Sequence, residues 1–495
     1  VKKDAAAAVE KVFGPSYLVG GAPRDLLLRR PVKDLDFAVP PCRDFRARAA
    51  SLARLLGAAV FPLDEERSIY RLSPRGAEGA QIDLAPMEGG SILPDLGRRD
   101  FTINAMAVPA WKLKARWTGA SFAVSGVKPD ALIDPFGGLK DLRARRLRLV
   151  SPSAVQDDPL RMLRAFRFAA ELGFAPGRGL LAETAARAAL IKSAAAERVH
   201  EELSRIFATP VSADALRAMH KAGLLLEIFP ELAPQAKCAE VYYGRGGVLK
   251  HTFNVVERMD YLLSHLPSAI SGGKAIAAMK PPARALKTAA LLHDIAKPAR
   301  AKVMGDRLRF FGHEEHGAAM AEKVMERLRF SRADIRLVSA VTAQHLRVGN
   351  LAHNDEISDR AIYRFFRGMG EYSLPLLLLS WADHSSYVRK PDLLRALPAT
   401  KKPPFRIPAK GLPRTGLRKT LRFLQTVNML FGTYLSRGMD RRTDRLLDGN
   451  EVMKAAGIPE GPEIGRLLDQ VNLLHFEGRL KTKKEAVAWL RKNRK

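Results

Sequence analysis

Cysteine is nearly missing from this chain: 495 residues contain two, Cys42 and Cys238, far apart and in no CxxC pattern. That excludes a disulfide framework and a zinc ribbon, and it fits a reducing cytoplasm. Long apolar runs are lacking too. The longest, LPLLLLSWA and ALKTAALLHDIA, are too short to span a bilayer. The opening VKKDAAAAVEKVFG carries no extended apolar core of the signal-peptide kind. A cytoplasmic protein without membrane association is the expectation. Acidic residues are in deficit, 52 Asp and Glu against 82 Lys and Arg, which leaves a formal charge of +30. Such an excess calls for a polyanionic partner, nucleic acid before anionic membrane.

What is present is organised around Tyr17–Val39, YLVGGAPRDLLLRRPVKDLDFAV. It reads as a short strand, a glycine pair, an opening helix and a second strand. Gly20 and Gly21 let the backbone approach a ligand closely. Arg24 and Asp25 fall where the helix begins, a position that suits an anion. Asp34 and Asp36 alternate on the second strand, so both carboxylates project from one face. Two like charges that close need a counter-charge, and a divalent metal is the usual one. Together these features propose phosphoryl or nucleotidyl transfer. Downstream, RRDFTINAMA offers Arg98 and Arg99 to phosphates and Asp100 to a ribose hydroxyl. Asp83 in QIDLAP is either a third acid near the metals or a solvated strand residue.

Residues 1–150 mix β-like runs with helices and form an α/β or α+β head. From SPSAVQDDPLRMLRAFRF onward the β signal vanishes, and Arg161, Arg164 and Arg167 form a basic stripe on a helix. The expected layout is a head at 1–150, a helical neck at 151–240, a third domain at 241–390 and a helical tail at 391–495. RKPDLLRALPATKKPPFRIPAKGLPRTG, rich in proline and lysine, is expected to lie irregularly over a surface.

VGGxxRD, DLDFAV, RRDFTINAMA, IDPFGGLKDL and DDPLRMLRAFRF, in that order from about Tyr17 to Phe207, closely resemble the class II tRNA nucleotidyltransferases. These are the CCA-adding enzymes and related poly(A) polymerases. The resemblance implies an α+β fold: a polymerase-β-like nucleotidyltransferase head with a five-stranded mixed sheet and helices, then an all-helical neck, body and tail. It implies that Gly20, Gly21 and Arg24 bind the triphosphate and that Asp34 and Asp36 are catalytic and hold Mg2+. Arg98, Arg99, Asp100 and Asn104 would hold the incoming nucleotide. Asp158 and Arg161, with Arg164 and Arg167 on the same helix, would complete the nucleotide site. An acceptor at Asp158 and donors at Arg161 suit the edges of C and A; Asp158 before Pro159 also suits a helix cap. Glu197 and Arg198 are expected to brace the neck. Two departures stand out. Pro23 replaces a branched apolar residue, and the segment between Leu84 and Arg98 is short where many full CCA-adding members carry a longer loop.

A second set, His251, His293-Asp294, His313, His345 and Asp383, resembles the HD-domain metal phosphohydrolases. Adjacent nitrogen and oxygen ligands suit a borderline transition metal, such as nickel, manganese, iron or cobalt. The resemblance implies a first metal on His251, His293, Asp294 and Asp383. His313 and His345 would complete a second site, with His316 an alternative to His313. Lys297 contacts a phosphate or is a surface lysine. The basic C-terminal helix and the segment before it are expected to grip tRNA electrostatically. The function so implied is building or repairing the 3′-CCA of tRNA from CTP and ATP, with a phosphatase or 2′,3′-cyclic phosphodiesterase alongside and no obligate protein partner. The rivals are a CC-adding, A-adding or polyadenylating enzyme and, from another class, an RNA-binding HD phosphohydrolase with an inactive head.

Overall fold

A computed structural model of the chain describes residues 3–74, 79–119, 121–413, 415–437 and 446–493. Two compact units emerge. The first runs up to Glu202 and also takes in Ala218–Ile228; the second holds Leu203–Arg217 and the chain from Phe229 onward. The fold is α+β.

The head is built on a mixed sheet of β1 (Tyr17–Val19), β2 (Asp34–Val39), β3 (Ala58–Asp64), β4 (Ile69–Pro74), β5 (Gln81–Pro86) and β6 (Val108–Pro109). The spatial order is β3-β4-β5-β2-β1-β6, with β2 and β5 parallel and every other neighbour antiparallel. Six strands stand where five were implied, because the two-residue β6 pairs with β1 at the edge. Period-two alternation decides the faces of β2. Leu35, Phe37 and Val39 enter a core with the helices Ala5–Phe13 and Phe45–Leu56, which leaves Asp34 and Asp36 on the opposite face. A separate apolar cluster joins Phe101, Ile103 and Met106 to Ala165, Phe168 and Leu172 of the helix Leu160–Leu172.

The chain beyond residue 150 was read as free of strands, and this is corrected in two places. Ala175–Pro176 pairs in parallel with Arg146–Leu147. In the second unit, Lys302–Met304 and Arg307–Arg309 form an antiparallel hairpin. The hairpin escapes an apolar pattern search because it is almost wholly exposed. Its Gly305-Asp306 turn, with Gly305 at φ 61°, is the signal that could have found it.

The second unit is otherwise helical. Its longest apolar run is the helix Ser373–Ser385, in which Leu376, Leu377, Leu378, Leu379 and Trp381 are fully buried. That run is core, and no described helix is long and apolar enough to cross a membrane. Part of the proline- and lysine-rich stretch is helical, Lys390–Thr400; the described residues after it are irregular, and those around Phe405 are anchored. Arg422, 1% exposed on the helix Leu417–Ser436, donates to the carbonyls of Phe405, Asn354, Asp355 and Ala352. Gln425 accepts from the Phe405 amide at 3.1 Å and donates to the Ala399 carbonyl at 3.0 Å. Arg422→Met should therefore strand several carbonyls at once and cost about 2–3 kcal/mol. A lowered thermal midpoint in calorimetry of the full chain checks this; an unchanged midpoint would refute the anchoring role.

Candidate active site and candidate metal centre

The parallel register of β2 and β5 sets Asp83 beside Asp36, so three carboxylates share one face of the head sheet. Arg71 on β4 grips Asp83 with two hydrogen bonds, 2.7 and 2.8 Å. Burial pushes the Asp36 carboxyl up to about 6, and Asp83 and Asp34 add to the rise while Arg99 and Arg71 oppose it. Crowded, partly desolvated oxygens of this kind are what a hard divalent cation relieves, so Asp34 and Asp36 fit Mg2+. Gly20 closes over them. At φ 74°, a Cβ there would lie 2.6 Å from Asp36 Oδ2, so the position admits glycine alone.

The residues expected around the nucleotide are brought together, largely by contacts with one another. Arg24 is buried; it donates to Asp25 at 2.9 and 2.8 Å and to Asn104 Oδ1 at 2.6 Å. Asn104 donates to Asp100 Oδ1 at 3.0 Å, and Arg164 donates twice to Asp100 Oδ2, at 2.9 and 2.7 Å. Glu202 then accepts from Arg164 and Arg167, and Arg167 also reaches Glu171. The guanidinium groups of Arg24, Arg164 and Arg167 lie 5.1, 5.5 and 3.8 Å from the centre of the Phe168 ring. Burial works against a charge on Asp100, but Arg164 and Asn104 hold its carboxyl below the usual range. Arg98 is exposed and pairs with Glu88, while Arg99 pairs with Asp95 at 2.9 Å.

In the neck, Asp158 accepts from the Leu160 amide at 3.1 Å, which is a capping contact, and from Arg198 at 2.8 Å. Arg161 donates to the carbonyls of Ala154 and Arg98. Arg198 stood outside the expected nucleotide set, yet it is the side chain that faces Asp158. Arg71 and Glu202 were also missed; Arg71 sits opposite Asp83 in the β4–β5 register, a pairing that the order of residues alone does not reveal.

In the second unit His251, His293 and Asp383 form one buried group of ligand atoms, and Asp294, His313 and His345 form another. Asp294 stands between them. Its Oδ2 lies 3.4 and 3.2 Å from Nε2 of His251 and His293, and its Oδ1 lies 3.5 Å from Nε2 of both His313 and His345. His313 occupies the place for which His316 was an alternative. The Nδ1 atoms are committed elsewhere: His293 to the Ala290 carbonyl, His313 to Phe310, His345 to Thr342 and His251 to the Ser386 hydroxyl. A backbone carbonyl fixes the proton on Nδ1 and turns the Nε2 lone pair inward. His251 Nε2, His293 Nε2, Asp294 Oδ1 and Asp383 Oδ1 are buried without a hydrogen-bond partner. Three of these atoms, His251 Nε2, His293 Nε2 and Asp383 Oδ1, converge on one side and Asp294 Oδ1 faces the other pair of imidazoles; such mixed N and O donors are what a borderline metal takes. Burial opposes charge on Asp294, yet His293 and Lys297 hold its carboxyl well below its ordinary value; burial pushes the His345 imidazole down, the neutral form a ligand needs. Lys297 is buried, not a surface lysine, and donates to Asp294 Oδ2 at 2.6 Å and to the Tyr243 hydroxyl at 3.0 Å.

A head with paired strand carboxylates beneath a glycine turn, together with an HD metal cluster, defines a nucleotidyltransferase with an HD domain. The sequence matches the family models for the poly A polymerase head domain at residues 16–148, the "probable RNA and SrmB-binding site of polymerase A" at 173–235 and the HD domain at 248–387. A CC-adding tRNA nucleotidyltransferase of Thermus thermophilus is 31% identical over 490 residues, covering 96% of this chain and 93% of that one. An A-adding tRNA nucleotidyltransferase of Deinococcus radiodurans is 30% identical, covering 96% and 94%. A solved CCA-adding enzyme with ATP superposes with a TM-score of 0.62 at 18% identity over 98% of this chain and 90% of that chain. The Thermotoga maritima CCA-adding enzyme complexed with tRNA gives 0.57 at 19% identity, covering 99% and 98%. The chain belongs to the CCA-adding tRNA nucleotidyltransferase family, in its HD-domain-bearing form.

The raised Asp36 carboxyl sets a pH dependence. Its contribution to stability is present below the unfolded value near 3.8 and lost as pH rises through about 6. Metal-free Asp36→Asn should therefore unfold at a higher temperature than the unaltered protein at pH 8, by on the order of 2–3 kcal/mol, with little difference near pH 4. Added Mg2+ should raise the midpoint of the unaltered protein at pH 8 and leave the variant unmoved. Calorimetry at the two pH values reads both effects, and equal midpoints at pH 8 would refute the crowded-carboxylate account.

Proposed function

We propose that this protein builds or repairs the 3′-terminal CCA of tRNA from CTP and ATP. The observation that carries the reading is the Asp34–Asp36–Asp83 face under Gly20, in a chain similar along its whole length to tRNA nucleotidyltransferases. Asp34 and Asp36 would hold Mg2+, and the chemistry it would supply there is activation of the RNA 3′-hydroxyl and neutralisation of charge on the triphosphate. Asp83, held back by Arg71, keeps the field on that face negative. The backbone at Gly20 and Gly21 admits the phosphates, and Arg98 and Arg99 swing from Glu88 and Asp95 onto them. The new bond joins the 3′-oxygen to the α-phosphorus, pyrophosphate leaves, and the hydroxyl proton passes to solvent. Arg24, Asn104, Asp100, Arg164 and Arg167 fix the wall of the pocket. Asp158 and Arg161 select C and A. The layout of head, neck, HD domain and tail follows the boundaries near residues 150, 240 and 390, and the basic tail grips tRNA in the cytoplasm.

A second reading is that the protein adds only the two cytidines. The segment 87–97 favours it: it is short, folded into the helix Ile92–Gly97 and tied down by the Glu88–Arg98 pair. The HD centre, carrying a divalent transition metal, would hydrolyse phosphate esters, a water oxygen bonding to phosphorus as the ester oxygen leaves as an alcohol.

Transfer RNA ending before CCA, incubated with CTP, with ATP and with both, should be extended by three nucleotides only when both are present. Products sized on a gel test this, and extension by two with CTP and none thereafter would establish the CC-adding reading. Asp36→Ala should reduce incorporation more than thousandfold while tRNA binding stays near normal; retained incorporation would remove the metal assignment. Asp294→Ala should abolish phosphate-ester hydrolysis and spare incorporation, and equal hydrolysis by variant and parent would refute a catalytic HD centre.

A further inference from the structure

One lateral row of side chains crosses the catalytic face of the head sheet. The strand registers set Val19 beside Asp36, Asp36 beside Asp83, Asp83 beside Arg71 and Arg71 beside Phe61. Opposed residues of paired strands share a face. The alternation agrees, since Phe37, Leu72, Ile82 and Leu84 turn to the core on the other side. Phe61 ends the row on the edge strand β3 and is 42% exposed. At about 4.8 Å per strand, it stands roughly 14 Å across the sheet from Asp36.

A single exposed apolar side chain is ordinary on a protein surface, but the setting of Phe61 is not. Its neighbour Arg71 spends Nε and Nη2 on Asp83 and leaves Nη1 without a partner among the described residues. Asp36 therefore has a cation on each side. Arg99 Nη1 lies on the β1 side, 3.5 Å from where a Cβ on Gly20 would stand, and Arg71 lies on the β4 side. In-line transfer needs the attacking 3′-oxygen and the departing pyrophosphate on opposite sides of the α-phosphorus. With the triphosphate at the Gly20 turn and Arg99, the RNA end is left the other half of the sheet.

Resting on the nucleotidyl-transfer reading, we propose that Phe61 and Arg71 hold the 3′ end of the RNA. The terminal base stacks on Phe61, and Arg71 Nη1 donates to the phosphodiester behind the terminal ribose. Stacking accepts any base because each has a π-face, so the site serves an end whose base changes with each addition. The other natural occupant of a sheet edge is a strand of a second protein. Pro62 withdraws a donor from that edge, and the ladder is irregular between Pro62 and Asp64, which disfavours such pairing. Asp64, Glu65 and Glu66, against Arg67, turn a polyanion away from the tip of the β3–β4 hairpin. On the opposite flank of Phe61, the paired Ala59 and Ser73 are small and uncharged.

The test uses the full chain and tRNA whose 3′-terminal nucleotide is intact or abasic. In the unaltered protein, base removal should raise KM for the RNA about tenfold and leave KM for CTP unchanged. Phe61→Ala should raise the RNA KM by a similar factor and make it indifferent to base removal, whereas Phe61→Tyr should behave as the parent. A methylphosphonate at the last linkage should weaken RNA binding to the parent and add nothing to the loss in Arg71→Gln. Independently of incorporation, tRNA with a 3′-terminal 4-thiouridine, irradiated with the protein in chelator, should form adducts on the peptide containing Phe61. Base removal that costs Phe61→Ala as much as the parent overturns the proposal, and so do adducts confined to other peptides. Adducts at Phe61 with no incorporation from CTP or ATP would overturn the nucleotidyl-transfer reading alone and leave an RNA-terminus site on the sheet.

Discussion

Asp100 and Arg164 form the pair on which the head's nucleotide side depends. Asp100 is buried next to Phe101 in the apolar cluster shared with the neck helix, where an unpaired carboxylate would be strongly unfavourable. Two hydrogen bonds from Arg164 and one from Asn104 make the burial tolerable. Because Asn104 is in turn held by Arg24, the loop after Arg99, the helix after the glycine pair and the neck helix are fixed by one continuous set of charged contacts. Glu202 extends it to a further helix through Arg167. The basic stripe that the sequence displays is therefore mostly neutralised within the protein. Arg98, exposed and paired with Glu88, and Arg99, paired with Asp95, stand outside this set.

The two centres solve opposite electrostatic problems. In the head, like charges are crowded, and one of them is raised as a result. The carboxylates offer only oxygen atoms, which suits a hard cation. In the HD cluster, alternating imidazoles and carboxylates lower Asp294 and Asp383 against the pull of burial. Nitrogen and oxygen are mixed and the Nδ1 side of each ring is locked, as befits a resident metal. The two donor sets therefore favour different classes of ion, because donor type and geometry separate ions more than affinity does.

How legible this was follows from the range of each interaction. Asp34 and Asp36 could be placed on one face because a strand alternates, and the histidines could be gathered because their order is characteristic of HD domains. Asp83 stayed ambiguous, since only strand pairing sets it beside Asp36 and Arg71. Lys297 stayed ambiguous for a similar reason: three positions after Asp294 it falls on the same helical turn, but its burial depends on Tyr243, far earlier in the chain. The hairpin at 302–309 was missed because exposed strands carry no apolar alternation.

Nucleotide choice must lie outside the most deeply fixed parts of this site. On the proposed reading Asp34 and Asp36 would serve the transfer, and the Asp100–Arg164 pair would hold the pocket, whichever base is added. The neck pair behaves differently. Asp158 and Arg198 lie at the surface, 27% and 54% exposed as side chains, so the bond between them contributes only about 0–1 kcal/mol. If Asp158 selects the base as proposed, an amino group of C or A donating to it in place of Arg198 would cost little, because Arg198 would then have water to return to. Arg161, which donates to two backbone carbonyls, would trade them for the acceptor edge of a base on similar terms. A selector built from weak, exposed bonds can be exchanged between successive additions, whereas one built from the buried network could not be without disassembling the pocket. Any step from C to A would then turn on what repositions these side chains, and the segment at 87–97, paired through Glu88 with Arg98, whose carbonyl accepts from Arg161, is an element of the head in contact with them.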